Sequence, residues 1–83
     1  MKGQELINKI QSTLLEGGYV VIATYTKIWE YNKPGHVGLF KAVGNSAYVR
    51  HGKRWDCIDY CGIRFARPVK VVETELMHEH RDF

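Results

Sequence analysis

Tyr19-Val20-Val21-Ile22-Ala23-Thr24-Tyr25-Thr26-Lys27-Ile28-Trp29-Glu30-Tyr31 decides the fold. Val20, Val21, Ile22, Thr24, Thr26 and Ile28 are β-branched, and Tyr19, Tyr25, Trp29 and Tyr31 are aromatic. Both classes favour extended backbone. Strand alternation over a continuous run sets Val20, Ile22, Thr24, Thr26 and Ile28 on one face. It sets Tyr19, Val21, Ala23, Tyr25, Trp29 and Tyr31 on the other. Both faces read as largely covered, which predicts a central strand. The run exceeds an ordinary strand, which predicts a bend or bulge near Thr26-Lys27.

Upstream, the period changes from two to that of a helix over residues 4–16. Leu6, Ile10 and Leu14 recur every four residues with Ile7 beside them, forming one apolar stripe. Glu5 precedes Lys9 by one helical turn, the favourable order for a surface ion pair. Gly17-Gly18 ends the helix, because glycine accepts the left-handed conformation of a C-terminal cap. The polar face mixes charges of both signs, so the helix reads as a cover for a sheet, not a membrane-surface helix.

Downstream, Asn32-Lys33-Pro34-Gly35-His36 reads as an exposed, mobile loop. Three meander strands follow: 39–43, 46–50 and 53–58. Gly44-Asn45 and His51-Gly52 supply the two-residue turns between them. A corner at Asp59-Tyr60-Cys61 leads to a strand over 62–67, in which Ile63 and Phe65 alternate with Arg64. Pro68 ends that strand by removing a ladder donor. Residues 69–72 suggest a short edge strand, closing a sheet over 19–72, and 73–83 form an acidic C-terminal tail. The expectation is one α+β domain over residues 1–83. Its N-terminal helix packs on a strongly bent antiparallel sheet of five or six strands, a candidate for a small SH3-like or OB-like barrel. Trp55 and Phe65 are expected in the core.

Composition excludes several classes. The hydrophobic content of 45% is ordinary for a globular chain. No apolar run approaches the roughly 20 residues of a membrane span, and the N-terminus has no signal-peptide core. No membrane association is therefore expected, and a cytoplasmic location is. Charge is uneven. Residues 41–70 carry Lys41, Arg50, Lys53, Arg54, Arg64, Arg67 and Lys70 against Asp56 and Asp59, a net of +5, within a chain of net +3. Such a basic middle points to an anionic partner.

Cys57 and Cys61 are separated by three residues, without a second pair to complete a zinc site. They read as free thiols packed as small apolar groups. Asp56 and Asp59 fall on opposite sides of a regular strand, which argues against a shared carboxylate site. No phosphate-binding glycine loop, zinc-protease motif or nucleophile–base spacing occurs. The expectation is a protein that is not an enzyme and that needs no cofactor or metal.

What remains is an interleaving of basic and aromatic residues. Arg50, Lys53, Arg54, Arg64 and Arg67 would supply electrostatic complementarity if they project together, with Tyr48 alongside them. Trp29 and Tyr31, beside the Pro34-Gly35 loop, would anchor a partner, since Trp, Tyr and Arg dominate interface energetics. The leading expectation is a binding module that occludes a protein or ribonucleoprotein target. The alternative is a nucleic-acid-binding barrel using the same residues. The oligomeric state is left open. The short single domain, the helix over 4–16, the bent sheet and the lack of catalytic signatures resemble the accessory proteins of phages and other mobile elements, anti-CRISPR inhibitors included. The resemblance implies inhibition of a host component and assigns no residue roles.

Overall fold

A computed structural model describes residues 2–67 of the protein. Helix α1 (Lys2–Leu15) is followed by strands β1 (Tyr19–Ala23) and β2 (Ile28–Tyr31) and a 3₁₀ helix (Pro34–Leu39). Strands β3 (Phe40–Val43), β4 (Ser46–His51), β5 (Arg54–Cys57) and β6 (Gly62–Ala66) complete the order. The α+β class holds. The single bent sheet is corrected to two three-stranded antiparallel sheets, β2-β1-β6 and β3-β4-β5. No ladder joins them, so the expected barrel closure is absent among the described residues. The expected strand at 69–72 and the tail at 73–83 lie outside the described residues.

The long strand of residues 19–31 is in fact a hairpin. Thr24 N–H donates to the Lys27 carbonyl at 2.9 Å, and Lys27 N–H donates to Thr24 Oγ1 at 3.1 Å. The hydroxyl thus substitutes for a backbone acceptor in the turn. β1 is the central strand of its sheet, as expected, but the reversal changes which residues share a face. Ile22 pairs with Trp29 and Val20 with Tyr31, while Ala23 pairs with Ile28. Directly opposed residues project to the same side. Trp29 and Tyr31 therefore join Val20 and Ile22 on the inner face, and Ile28 moves to the outer face, where it is exposed.

Ile7, Ile10 and Leu14 form the buried stripe of α1, with Leu6 at its flank. Gly17, at φ 87°, ends the helix as expected. Gly18 N–H donates to the Thr13 carbonyl and Gly17 N–H to the Leu14 carbonyl, the two bonds of a Schellman cap. The helix starts two residues earlier than its apolar period suggests, and its first turn lies against the β3–β4 hairpin. A Cβ on Gly3 would stand 2.8 Å from the backbone of Asn45 and Ser46. The helix touches strands of both sheets, so its stripe is what joins them. Val20, Ile22, Phe40, Ala47, Val49 and Ile58 close around it.

The Pro34-Gly35 segment is not a free loop. It forms the 3₁₀ helix, which packs on α1; Gln11 Nε2 donates to the Val37 carbonyl at 3.0 Å. The meander turns fall at Gly44-Asn45 and Gly52-Lys53. Gly44 and Gly52 carry φ of 61° and 64°, the positive value that a II′-type turn needs at its first central residue. The second turn lies one residue later than expected, so β4 gains His51 and Lys53 moves into the turn. Among the described residues, no helix is long and apolar enough to cross a membrane.

Candidate binding face

The β3–β4 and β4–β5 turns set the register of the second sheet. Lys41 pairs with Tyr48 and Tyr48 with Cys57, while Arg50 pairs with Trp55. Alternation then divides the sheet. Phe40, Ala47, Val49 and Ile58 face α1 and are buried. Lys41, Val43, Ser46, Tyr48, Arg50, Trp55 and Cys57 form the outward face, and none of them is acidic. Lys41, Val43, Arg50 and Cys57 are exposed; Tyr48 and Trp55 are half-buried. Lys41 Nζ lies 4.1 Å from the Trp55 ring centroid, so the flat side of the indole, not its edge, meets the cation.

This placement corrects the expectation for Trp55, which lies outside the core. Phe65 is half-buried against the core, with Lys9 Nζ 4.4 Å from its ring centroid. The basic residues do not project together. Arg50 and Arg54 emerge on opposite faces, because a two-residue hairpin pairs Arg50 with Trp55 and Arg54 with His51. Arg64 belongs to the other sheet, opposite Val21, and Arg67 follows β6. Lys53 is exposed at the tip of the β4–β5 turn. Tyr48 and Arg50 are thus the expected site residues that the fold unites, and Lys41 and Trp55 complete the group. The Gly44-Asn45 turn already carried the Lys41–Tyr48 pair, whereas the Arg50–Trp55 pair follows from the turn at Gly52-Lys53, one residue later than expected.

The expectation for Tyr31 is also corrected, while Trp29 is half-buried. Tyr31 is 5% exposed and cannot anchor a partner. Its hydroxyl lies 2.8 Å from His51 Nε2, and His51 Nδ1 lies 2.9 Å from Asp56 Oδ2. An ionised Asp56 only accepts, so Nδ1 donates to it; with a single ring proton, Nε2 is then the acceptor for the Tyr31 hydroxyl. Trp29 stacks on His51 with centroids 4.5 Å apart. Burial, and then the Asp56 charge, push the Tyr31 hydroxyl pKa up. His51 belongs to the second sheet, whereas Trp29 and Tyr31 belong to the first. The network is a polar tie between sheets that share no ladder.

Both nitrogens of His51 are engaged in this tie, so neither is directed at a thiol. Cys57 and Cys61 are unbridged, and burial, followed by the charges of Cys57 and Asp56, raises the Cys61 thiol pKa. That is the opposite of an activated nucleophile. Cys61 lines two cavities: one of about 100 Å³ shared with Trp29 and His51, below the roughly 300 Å³ at which small-molecule pockets begin, and a shallow one of about 400 Å³ shared with Tyr25 and Tyr60. Among the described residues, no group of three or more His, Cys, Asp and Glu could hold a metal ion.

The chain matches no protein-family model, no curated protein and no solved structure. The functional reading therefore rests on geometry alone.

Two carboxylates give the fold a pH dependence. The hydrogen bond from His51, then the Arg54 charge, hold Asp56 below the ordinary carboxylate range. The Ala47 N–H, which donates to Asp59 Oδ1 at 2.9 Å, and the Ser46 hydroxyl do the same for Asp59. A depressed folded pKa contributes stability above the unfolded value of 3.8 and loses it as pH falls through the folded value. Urea midpoints are expected to fall from pH ~5 to ~2. The Asp56→Asn, Asp59→Asn double variant should show a flatter profile; an unchanged slope would assign the acid loss to other groups.

Proposed function

We propose that the protein is a binding module that docks the outward face of its second sheet on an anionic partner and acts by occlusion. The observation that carries this reading is the composition of that face. Lys41 and Arg50 flank Tyr48 and Trp55 without a carboxylate among them, on a surface that α1 leaves uncovered. Arg, Tyr and Trp are the residue types that concentrate binding energy, and cations without nearby acids steer association with negative surfaces. Lys53 at the adjoining turn extends the positive field. Neither catalysis nor a cofactor is required. The proposed target is a host protein or ribonucleoprotein that presents negative charge to this face.

Affinity capture from a host extract tests the reading. The wild-type chain is expected to retain a partner that a Lys41→Glu, Arg50→Glu double variant loses, with an unchanged circular dichroism spectrum. Both residues are exposed, so the charge reversal should leave the fold intact. Equal capture by the two proteins would place the binding surface elsewhere.

A further inference from the structure

We infer that the ligand of this face is a single-stranded nucleic acid, with bases on the Trp55 and Tyr48 rings and phosphates on Lys41, Arg50 and Lys53. The inference rests on the reading of the second sheet as the binding face and names its partner. Trp, Tyr and Arg also concentrate energy at protein interfaces, so what discriminates is how the rings and cations are placed. Here the cations are interleaved with aromatic rings at register positions that serve stacking. Arg50 is directly opposite Trp55 and Lys41 directly opposite Tyr48. Tyr48 pairs with Cys57, so Tyr48 and Trp55 are diagonal neighbours on adjacent strands, with backbones about 7–8 Å apart.

The orientation of Trp55 adds the deciding detail. Lys41 Nζ sits 4.1 Å from the ring centroid, so the π-face of the indole is presented to a group on the outward side of the sheet. A base can replace the ammonium there, and Lys41 then becomes free to meet the adjoining phosphate. Every base offers a π-face, so such a platform accepts many sequences. A duplex hides those faces within its stack, which makes the unpaired strand the matching form. Ser46 and Cys57, with small side chains, share the outward face with the half-buried Tyr48.

The test titrates the full chain with fluorescein-labelled oligothymidylate, with the same strand in a duplex, and with polyglutamate. Binding to the single strand is expected at about 50 mM salt, with a log–log salt slope near −2, from about 0.7 per neutralised phosphate. Arg50→Ala should make that slope shallower by about 0.7. Trp55→Ala should weaken binding by roughly 5- to 150-fold at unchanged slope, and Trp55→Phe should restore most of it. In a Trp29→Phe background, Trp55 is the sole tryptophan, and its fluorescence should be quenched by the oligonucleotide. Absence of oligonucleotide binding at low salt overturns the inference. So does a preference for duplex or polyglutamate, or a Trp55→Ala variant that binds as wild type. A nuclease-resistant partner lost in the Lys41→Glu, Arg50→Glu variant, without oligonucleotide binding, overturns the inference and leaves the binding-face reading standing. Capture that is indifferent to that variant removes both.

Discussion

Ile10→Ala should lose about 2–5 kcal/mol of stability, the usual range for truncating a buried isoleucine. Ile10 is 0% exposed and lies at the centre of the α1 stripe. The helix packs on strands of two sheets that share no ladder among the described residues, so the cavity left behind loosens the apolar seam between them. A domain of this size has roughly 4–12 kcal/mol in total, at about 0.05–0.15 kcal/mol per residue. The thermal midpoint should therefore fall by about 8–40 °C, at roughly 4–8 °C per kcal/mol. Leu15→Ala is the control. Leu15 occupies the last turn of the same helix but is 65% exposed, and its truncation should stay within about 0.5 kcal/mol. Equal losses for the two variants would mean that the helix is not seated as described.

His51→Ala should be the most damaging change outside the apolar core. The buried Tyr31 hydroxyl loses its acceptor, at a cost of about 1–3 kcal/mol. Trp29 loses its stacking partner, worth a further ~0.5–1.5 kcal/mol. Tyr31→Phe removes the hydroxyl together with its need for a partner, and should cost only about 0.5–1.5 kcal/mol. In a double-mutant cycle the two changes should be strongly non-additive, because the second removes the group that the first leaves unsatisfied. Urea unfolding of the four proteins measures this directly. Additive losses would show that the Tyr31–His51 contact carries no coupling, and the tie between the sheets would then be apolar packing alone.

These expectations depend on contacts that the sequence revealed unevenly. The apolar stripe of α1 and its double-glycine stop were legible because both are local. Helical period and cap chemistry are properties of consecutive residues. The meander turns were legible within one residue for the same reason. Trp29 and Tyr31 were misplaced because Thr24-Tyr25-Thr26-Lys27 contains neither glycine nor proline. The turn is held instead by the Thr24 hydroxyl, which leaves no distinctive mark in composition. Reading through that turn as one strand put Trp29 and Tyr31 on the wrong face. The candidate face was half visible. Tyr48 and Arg50 were identified with the correct mutual orientation, but clustering all the arginines ignored that hairpin pairing sends Arg50 and Arg54 to opposite sides.

The sequence by itself determined the α+β class, the presence and apolar stripe of the N-terminal helix, the three meander strands to within one or two residues, and the excess of positive charge in the middle of the chain. Each follows from propensity, period or composition over a short window. Tertiary structure alone decided that the strands divide into two sheets, that His51 links them through Tyr31, and that Lys41 caps Trp55 on the outward side of the second sheet. These depend on which strand edges meet and on side chains that approach across tens of residues. Such pairings are set by the joint burial of one apolar seam around Ile7, Ile10 and Leu14, and no local pattern encodes them.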